Sequence, residues 1–253
     1  MHMDYTLKKS LGQHFLKDDS ICLKIVDALQ KNDFNQLVEV GAGAGALTKH
    51  LIKLQNVDFK TVELDDEKVP YLLKQYPVLE GKIIHQDFLQ IDAPFKEEFV
   101  VIGNFPYNIS SQILFKVLDW KMQVPVVIGM FQKEVAVRVA AKPNNKDYGI
   151  ISVLIQAFYD VEYLLDVPPE SFNPPPKVMS GVIQLTRKKE FANFKSEKQF
   201  FNLVKTAFNQ RRKMLRNPLK TLFSAEDLQD VLFTKRAENL SVQDFANLTF
   251  KLK

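Results

Sequence analysis

The sequence Val38-Glu39-Val40-Gly41-Ala42-Gly43-Ala44-Gly45 places three glycines between a short apolar run and a helical pattern. Glycine has no Cβ, so a ligand can approach the backbone closely in such a turn. The turn lies at a helix N-terminus and at the carboxyl edge of a sheet, where open α/β folds bind ligands. The third glycine follows the second by two positions rather than three, unlike the dinucleotide-binding fingerprint. The stretch predicts an α/β fold and disfavours a nicotinamide oxidoreductase.

Short apolar runs alternate with helical patterns around this turn. Continuous apolar runs separated by helices indicate a mainly parallel sheet that is covered on both faces. The predicted strands are 37–40, 59–63, 82–85, 99–102 and 124–131, with an antiparallel closing pair at 163–167 and 178–186. The predicted helices are 18–31, 46–54, 66–76 and 110–120, and residues 132–158 look helical apart from a break at 143–149.

After Arg187 the pattern contains helices only, predicted near residues 196–208, 210–222, 225–233 and 241–251. The charge changes at the same point. Residues 1–187 hold 20 Lys and Arg against 23 Asp and Glu, whereas residues 188–253 hold 14 against 7. A basic region of this kind favours a polyanionic partner such as nucleic acid, although a solvated helical surface explains the charge equally well. We therefore predict two domains, 1–187 and 188–253.

The composition limits the class of protein. The chain has 253 residues, of which 46% are hydrophobic and 25% charged, as in ordinary soluble proteins. The longest apolar runs are shorter than the roughly 20 residues that a membrane-spanning helix needs. Cys22 is the single cysteine, and the four histidines show no metal-ligand spacing. The expected protein is cytoplasmic, with no metal and no membrane contact.

Acidic residues follow two further predicted strands. Glu63 ends the second strand, where a carboxylate can accept both hydrogen bonds of a ribose diol. Asp87, after the third strand, could accept from an adenine amine, and Phe88 could pack on the ring. Each acid alone could equally be a helix cap or a turn residue. Together they outline an adenosine site.

The run Gly103-Asn104-Phe105-Pro106-Tyr107 ends the fourth predicted strand and is the most specific feature of the sequence. Asn-X-Pro-Tyr at this place resembles the catalytic motif of S-adenosyl-L-methionine (SAM)-dependent methyltransferases that act on exocyclic amines. The accompanying motifs are Gly12-Gln13-His14-Phe15-Leu16, Glu39-Val40-Gly41-Ala42-Gly43, Ser171-Phe172-Asn173-Pro174-Pro175-Pro176-Lys177-Val178 and Phe208-Asn209-Gln210-Arg211-Arg212-Lys213. From about Lys8 onward, the chain resembles the bacterial small-subunit ribosomal RNA (rRNA) adenine dimethyltransferases, the KsgA or RsmA family.

The resemblance implies a Rossmann-like, SAM-dependent methyltransferase domain with an N-terminal lid, followed by a small helical domain that binds rRNA. The SAM-binding residues that it implies are His14, Leu16, Gly41, Gly43, Glu63, Asp87, Phe88 and Asn104. His14 stands where many members have Asn, and both side chains can hydrogen-bond. Phe105 replaces a commoner Leu, and Ala42 replaces a frequent Pro, which should loosen the turn without removing a group that binds the ligand.

Methyl transfer to an adenine amine explains why residues of the Asn104 motif would be required. An adenine amine is a poor nucleophile because its lone pair is delocalised into the ring. The Asn104 side-chain oxygen and the Phe105 carbonyl could each take one N–H and leave the lone pair directed at the methyl group. We assign catalysis to Asn104, Phe105, Pro106, Tyr107 and Phe172. Tyr107 and Phe172 are the expected aromatic faces around a splayed-out base, and core packing is the alternative for Phe172.

Basic residues cluster after the last motif, at Arg211, Arg212, Lys213, Arg216 and Lys220. On the predicted helix 210–222, helical spacing brings several of them roughly onto one side. In isolation a solvated face is the default interpretation. Beside an adenine methyltransferase domain, contact with the rRNA backbone is the better one.

The implied function is the transfer of two methyl groups onto each of two adjacent adenines in a hairpin near the 3′ end of 16S rRNA. The expected partner is this RNA within the small ribosomal subunit or its precursor, and the expected enzyme is a monomer. One alternative is a large-subunit rRNA adenine methyltransferase of the antibiotic-resistance type, which shares the catalytic motif. The segment 172–177 and the C-terminal helices favour the small-subunit family. A non-catalytic assembly factor on this fold is the other alternative, and the intact Asn104 motif argues against it.

Overall fold

The chain folds into two compact units. The computed structural model describes residues 14–253. Within these residues, the first unit contains 14–136 together with Glu162–Arg187, and the second contains Val137–Val161 and Lys188–Lys253. The sequence predicts a single division after residue 187, whereas packing also groups 137–161 with the C-terminal residues. The functional division into a methyltransferase domain and an rRNA-binding domain stays a prediction.

The first unit is built on a mainly parallel sheet. The strands within residues 14–253 are β1 (Phe15–Leu16), β2 (Gln36–Val40), β3 (Asp58–Glu63), β4 (Ile83–His85), β5 (Val100–Asn104), β6 (Val126–Gln132), β7 (Tyr159–Val167), β8 (Phe172–Asn173) and β9 (Ser180–Arg187). Seven of them form one sheet in the order β4-β3-β2-β5-β6-β9-β7. Neighbours from β4 to β6 are parallel, and β9 is antiparallel to β6. The predicted Rossmann-like sheet with an antiparallel closing strand is therefore confirmed.

Helices connect the parallel strands. The α-helices among the described residues are α1 (Asp19–Gln30), α2 (Thr48–Leu51), α3 (Lys68–Gln75), α4 (Ser110–Asp119), α5 (Lys133–Ala140), α6 (Ile150–Gln156), α7 (Glu197–Phe208) and α8 (Val242–Leu248). Helix α1 begins where the sequence predicts, because the Asp18 side chain accepts a hydrogen bond from the Ser20 amide at 3.0 Å. In the part of the chain that the structure describes, no helix is both long and apolar enough to cross a membrane.

The central strands bring several chain segments to one edge of the sheet. Strands β2, β5 and β6 are buried almost throughout, which explains their continuous apolar sequences. In the parallel register Val40 pairs with Val62, Glu63 with His85, and Asn104 with Met130. The carboxyl ends of β2, β3, β4 and β5 therefore lie side by side, and their following loops meet there.

The second unit differs from the prediction at residues 210–222. The sequence predicts a helix there, but the backbone forms a series of turns. The Leu215 and Arg216 amides donate to the carbonyls of Lys235 and Phe233 instead of bonding within a helix. Pro218 explains the difference, because proline has no amide hydrogen to donate and its ring clashes with the preceding helical turn. The basic cluster is therefore held by a neighbouring chain segment rather than presented on one helix.

The remaining C-terminal predictions are partly correct. Helix α7 matches the prediction closely, and α8 with the 3-10 turn Thr249–Lys251 covers the predicted 241–251. Residues 225–233 form two short 3-10 turns, Asp227–Gln229 and Val231–Thr234, rather than one helix. Ser241 and Asp244 cap α8 reciprocally, which the sequence pattern Ser-X-X-Asp indicates.

Candidate active site

A cavity lies at the carboxyl ends of β2, β3 and β5, where the loops of the sheet edge converge. It is lined by most of the residues that the sequence singles out. These are His14, Leu16, Gly41, Gly43, Glu63, Asp87, Phe88, Asn104, Phe105, Pro106 and Tyr107. The structure thus brings together, at one place, residues that are spread over almost 100 positions of the sequence.

The glycine turn forms one wall of the cavity. Gly41 and Gly43 have φ angles of 72° and 55°, a region that residues with a Cβ rarely adopt. A Cβ on Gly43 would lie 2.9 Å from the Phe15 ring. The turn therefore needs glycine both for its conformation and for its packing, and it leaves backbone rather than side chains facing the cavity.

Glu63 holds the neighbouring loop together. Its Oε1 accepts hydrogen bonds from the Leu64 and Asp65 amides at 2.9 Å, and its Oε2 accepts one from the Gly43 amide at 2.8 Å. The side chain is nearly buried, with only 6% exposed. Glu63 thus lines the cavity as predicted, and it also ties the glycine turn to the end of β3.

Glu39 also lines the cavity, although the sequence predicts no role for its side chain. It is only 2% exposed, and the Thr48 hydroxyl donates to its Oε2 at 2.7 Å. Burial raises the pKa of Glu39 from 4.5 to about 8, and the charge of Glu63 adds to this effect. The signal in the sequence was an acidic residue inside an otherwise apolar central strand.

Asp87 and Phe88 form another wall. The Asp87 Oδ1 accepts from the Leu89 amide at 2.9 Å, while no described residue donates to its Oδ2. Phe88 is buried and packs edge-on against Trp120, with ring centroids 5.3 Å apart. Leu64 lines the same cavity, yet 48% of it is exposed. This wall combines a free carboxylate oxygen with apolar surface, as an adenine ring requires.

Asn104 has a defined orientation. Its Nδ2 donates to the His14 carbonyl at 3.0 Å, so the Oδ1, at the other arm of the planar amide, points away from that carbonyl. The Phe105 ring is buried against Phe131, and the Phe105 amide donates to the Met130 carbonyl at 3.2 Å. Among residues 14–253, none donates to the Asn104 Oδ1 or to the Phe105 carbonyl. Two acceptors therefore lie on consecutive residues at the end of β5, and neither has a donor among the described residues.

Tyr107 presents an aromatic ring beside these acceptors. Its ring stacks on His14, with centroids 5.6 Å apart and planes 27° apart. Its hydroxyl bonds to the Ser180 hydroxyl at 2.5 Å. Burial raises the pKa of Tyr107, so the phenol stays neutral.

Phe172 does not join this group. It is fully buried in the hydrophobic core and pairs with Leu16 between β8 and β1. The alternative of core packing therefore describes Phe172 in this structure, because a ring with no exposed surface cannot stack on a base. His14 is the aromatic neighbour of Tyr107 instead, and its Nδ1 lies 2.9 Å from the Pro174 carbonyl.

The model of the family described as "Ribosomal RNA adenine dimethylase" matches residues 5–252 of this chain. The match covers both compact units. The chain belongs to this family. Membership confirms the predicted enzyme class, an rRNA methyltransferase, and the predicted cofactor, SAM.

Individual relatives agree with the family assignment. "Ribosomal RNA small subunit methyltransferase A" of Cytophaga hutchinsonii is 52% identical over 246 residues, covering 96% of this chain and 95% of that protein. The protein of the same name in Flavobacterium johnsoniae is 51% identical over 250 residues, covering 97% and 95%. The crystal structure of a dimethyladenosine transferase from Plasmodium falciparum has a TM-score of 0.80 at 25% identity, covering 94% of this chain and 99% of that one.

The cavity of this rRNA adenine dimethylase fits the cofactor. The Cβ-free turn at Gly41 and Gly43 admits a ligand close to the backbone. The Glu63 carboxylate is an acceptor suited to hydroxyls, and the wall of Phe88 and Leu64 is suited to a ring. These groups match the polar and aromatic parts of an adenosine compound.

The basic cluster of the dimethylase divides into two parts. Arg212, Lys213, Arg216 and Lys220 are exposed. Arg211 is half-buried, and its Nε donates to the Glu238 Oε2 at 2.7 Å while its Nη2 donates to the Lys146 carbonyl. The Arg211 guanidinium is thus engaged within the second unit, whereas the other four cations face solvent.

Proposed function

We propose that this protein transfers methyl groups from SAM to the exocyclic amines of adenines in small-subunit rRNA. The observation that carries the proposal is a pair of acceptors at the glycine-lined cavity, the Asn104 Oδ1 and the Phe105 carbonyl, to which no residue in 14–253 donates. An amine with two N–H groups satisfies both acceptors at once. The names of the relatives at about 50% identity support the small subunit as the source of the RNA.

The protein groups act on the amine rather than on the cofactor. SAM, when bound, supplies a methyl group on a positively charged sulfur. The Asn104 Oδ1 and the Phe105 carbonyl each accept one N–H, and the amine nitrogen then becomes tetrahedral with its lone pair pointing away from both acceptors. Such positioning is worth several kcal/mol in well-oriented reactions, on the order of a hundredfold or more in rate. The methylated ammonium that results is a strong acid, so no general base is needed before transfer.

The geometry of the acceptors is built into the fold. Asn104 is the last residue of β5 and pairs with Met130 of β6, so its backbone is fixed by the sheet. The His14 carbonyl takes the Asn104 N–H, so the side-chain amide cannot rotate without losing that bond. Pro106 follows Phe105 and limits the backbone of that residue to extended conformations. These constraints hold both oxygens in place before the substrate arrives.

Tyr107 is the proposed stacking partner of the target base. An adenine amine cannot reach the cavity from within a base stack, so the base must leave the stack and rest on an apolar face. Stacking on an aromatic ring is worth about 1–3 kcal/mol per base. Since Phe172 is enclosed in the core, the proposal assigns Tyr107 alone to this role.

The exposed cations Arg212, Lys213, Arg216 and Lys220 are the proposed contacts to rRNA phosphates. Lysine and arginine bound to phosphates gain affinity through the release of counterions, without reading sequence. Arg211 is left out of this set because Glu238 already neutralises its charge. The substrate that the sequence resemblance implies, two adjacent adenines in a hairpin near the 3′ end of 16S rRNA, is part of the proposal, as are a monomeric state and a cytoplasmic location.

Methylation of purified ribosomal subunits tests the proposed function. Small and large subunits from cells that lack the enzyme are incubated with the protein and SAM, and the methylated adenines are located by mass spectrometry of RNA fragments. The proposal expects dimethylated adenines on the small subunit only. Methylation of the large subunit would support the alternative of a large-subunit rRNA adenine methyltransferase. The fold alone does not separate the two, because the crystal structure of the 23S rRNA methyltransferase ErmE has a TM-score of 0.70 at 21% identity. Absence of methylation on both would support a non-catalytic factor.

A further inference from the structure

Ser180 forms an unusual contact with the proposed stacking ring. Its side chain is completely buried, and its Oγ lies 2.5 Å from the Tyr107 hydroxyl, across 73 positions of the sequence. Ser180 does not line the cavity, so it has no direct access to a ligand there. Its hydroxyl is therefore directed at one group of the site, the tip of Tyr107.

The backbone of Ser180 is held firmly. Ser180 begins β9 and pairs with Gln132 of β6, and the Met179 carbonyl before it accepts from the Lys133 amide at 2.9 Å. The same strand β6 pairs with β5, where Met130 lies opposite Asn104. One central strand thus fixes both Asn104 and Ser180, and the distance between the acceptor group and the serine is set by the sheet.

Tyr107, by contrast, lies in the loop after β5 and is only half-buried. Its ring can move by rotation about two side-chain bonds unless other groups restrain it. The hydroxyl lies on the long axis of the ring, so its bond to Ser180 fixes where that axis points. The stacking contact with His14, at 5.6 Å between centroids, restrains the plane of the ring. The two contacts together define the orientation that a stacked base would meet.

We propose that Ser180 is a positioning residue for methyl transfer, which acts by anchoring the Tyr107 hydroxyl so that the ring holds the target adenine against Asn104 and Phe105. The inference rests on the proposed function, because it takes Tyr107 to be the stacking face. A stacked base that is displaced by a fraction of an ångström places its amine away from the two acceptors, and such errors lower the rate of transfer.

A double-mutant cycle tests this role. Ser180→Ala removes the anchor, Tyr107→Phe keeps the ring but removes its hydroxyl, and the double variant combines them. Each single change is expected to lower kcat on unmodified small subunits by about five- to twentyfold, and the double variant is expected to be no slower than either one. SAM affinity, measured by calorimetry, should change by less than about twofold, since Ser180 does not line the cavity.

Ser171→Ala is the matched control. Ser171 is also buried, but its hydroxyl donates to Asp18 at 3.2 Å, and its loss should leave kcat within about twofold of the wild type. Thermal melts of all variants identify any that fail to fold, in which case Ser180→Cys replaces Ser180→Ala as a change of similar volume with a weaker donor. A kcat for Ser180→Ala within about twofold of the wild type, or losses that multiply in the double variant, would overturn the inference. A wild-type protein that methylates neither subunit would instead overturn the proposed function.

Discussion

The Asn104 side chain donates a hydrogen bond to the backbone carbonyl of His14, at 3.0 Å, across 90 positions of the sequence. A backbone carbonyl only accepts hydrogen bonds, so the contact requires the nitrogen of the amide to face His14 and the oxygen to face away. The His14 carbonyl thereby selects the orientation in which Asn104 presents an acceptor. Since the carbonyl comes from the main chain, the identity of residue 14 matters little for this contact, which agrees with the tolerance expected for His14 in place of Asn.

Replacement of Asn104 is the direct test of the acceptor role. Asn104→Ala should lower methyl transfer by about 10² or more at saturating SAM, because the lost hydrogen bond is needed most in the transition state. The affinity for the small subunit should stay nearly constant. Single-turnover kinetics with calorimetric measurement of SAM binding separates the two effects, and near-normal turnover would rule out the proposed role.

Asn104→Asp adds a sharper comparison. The carboxylate keeps an acceptor but cannot donate to the His14 carbonyl, and two oxygens would then face each other at this position. We expect a rate well below that of the wild type although an acceptor is retained. Equal rates for Asn104→Asp and the wild type would show that the contact with His14 does not orient the side chain.

Glu63 should contribute to both cofactor binding and loop structure. Glu63→Ala removes an acceptor for ligand hydroxyls, with hydrogen bonds to charged groups worth about 1.5–3 kcal/mol each, so SAM affinity should fall at least about tenfold. It also leaves the amides of Gly43, Leu64 and Asp65 without their acceptor. The melting temperature of the cofactor-free protein should therefore fall as well.

The two effects of Glu63→Ala can be separated in one titration. The rise in melting temperature on addition of SAM reports binding, whereas the melting temperature without SAM reports loop structure. Glu97→Gln is a suitable control, because Glu97 is exposed and does not line the cavity. A variant that melts lower but gains as much from SAM as the wild type would reduce Glu63 to a structural residue.

The sheet and the position of the site are predictable from the sequence because both depend on local patterns. Buried parallel strands require continuous apolar runs, and each run here ends in a residue that cannot be buried alone, such as Glu63 or Asn104. Parallel strands bring those ends to one edge, so sequence order is enough to place them together. The glycines add a conformational requirement that other residues rarely satisfy.

The structure differs from the sequence-based predictions where contacts between distant parts of the chain determine the local structure. Phe172 follows a polar loop and precedes three prolines, which suggests an exposed aromatic, yet its pairing with Leu16 draws it into the core. The buried residues Leu215, Leu219 and Phe223 have helical spacing, but Pro218 and the hydrogen bonds of residues 215 and 216 to the carbonyls of Lys235 and Phe233 prevent a helix over 210–222. Leu16 and residues 233–235, which make these contacts, are distant in sequence from Phe172 and from 210–222. The local sequence pattern therefore cannot predict the contacts.

Glu39 predicts a specific pH dependence of stability. Its pKa is about 8 in the folded protein and 4.5 when exposed, because burial disfavours the charged form. Between these two values the folded state binds more protons than the unfolded state, so the contribution of Glu39 to stability falls as pH rises and is lost above about pH 8. Below pH 4.5 the group is protonated in both states, and its contribution is constant.

Glu39→Gln should remove this dependence. Glutamine keeps an acceptor for the Thr48 hydroxyl but cannot ionise, so the variant should gain stability over the wild type as pH rises from 5 to 8 and then level off. The free energy of unfolding of the variant should rise, relative to that of the wild type, by about 1.4 kcal/mol for each pH unit between the two pKa values, or several kcal/mol in all. Urea denaturation of the cofactor-free protein at a series of pH values measures it, with Glu97→Gln as the control for loss of an exposed carboxylate. If the difference in free energy of unfolding between variant and wild type stayed constant from pH 5 to 8, Glu39 would be ionised in the folded protein.

Within the basic cluster, we expect the exposed cations to bind RNA and Arg211 to stabilise the fold. Replacing Arg212, Lys213 and Arg216 together with Gln removes three exposed cations, so binding to small subunits should weaken and the slope of log affinity against log salt should fall by about 2–3. Arg211→Lys is the matched variant, because it keeps the charge but cannot reproduce the paired contacts of the guanidinium with Glu238 and the Lys146 carbonyl. It should lower the melting temperature and leave the salt slope unchanged.

Filter binding over a range of salt concentrations measures the salt slope, and thermal melts of both variants measure stability separately. An unchanged slope in a normally folded triple variant would place the RNA-binding surface elsewhere, and an unchanged melting temperature for Arg211→Lys would show that the guanidinium contacts with Glu238 and the Lys146 carbonyl do not stabilise the protein.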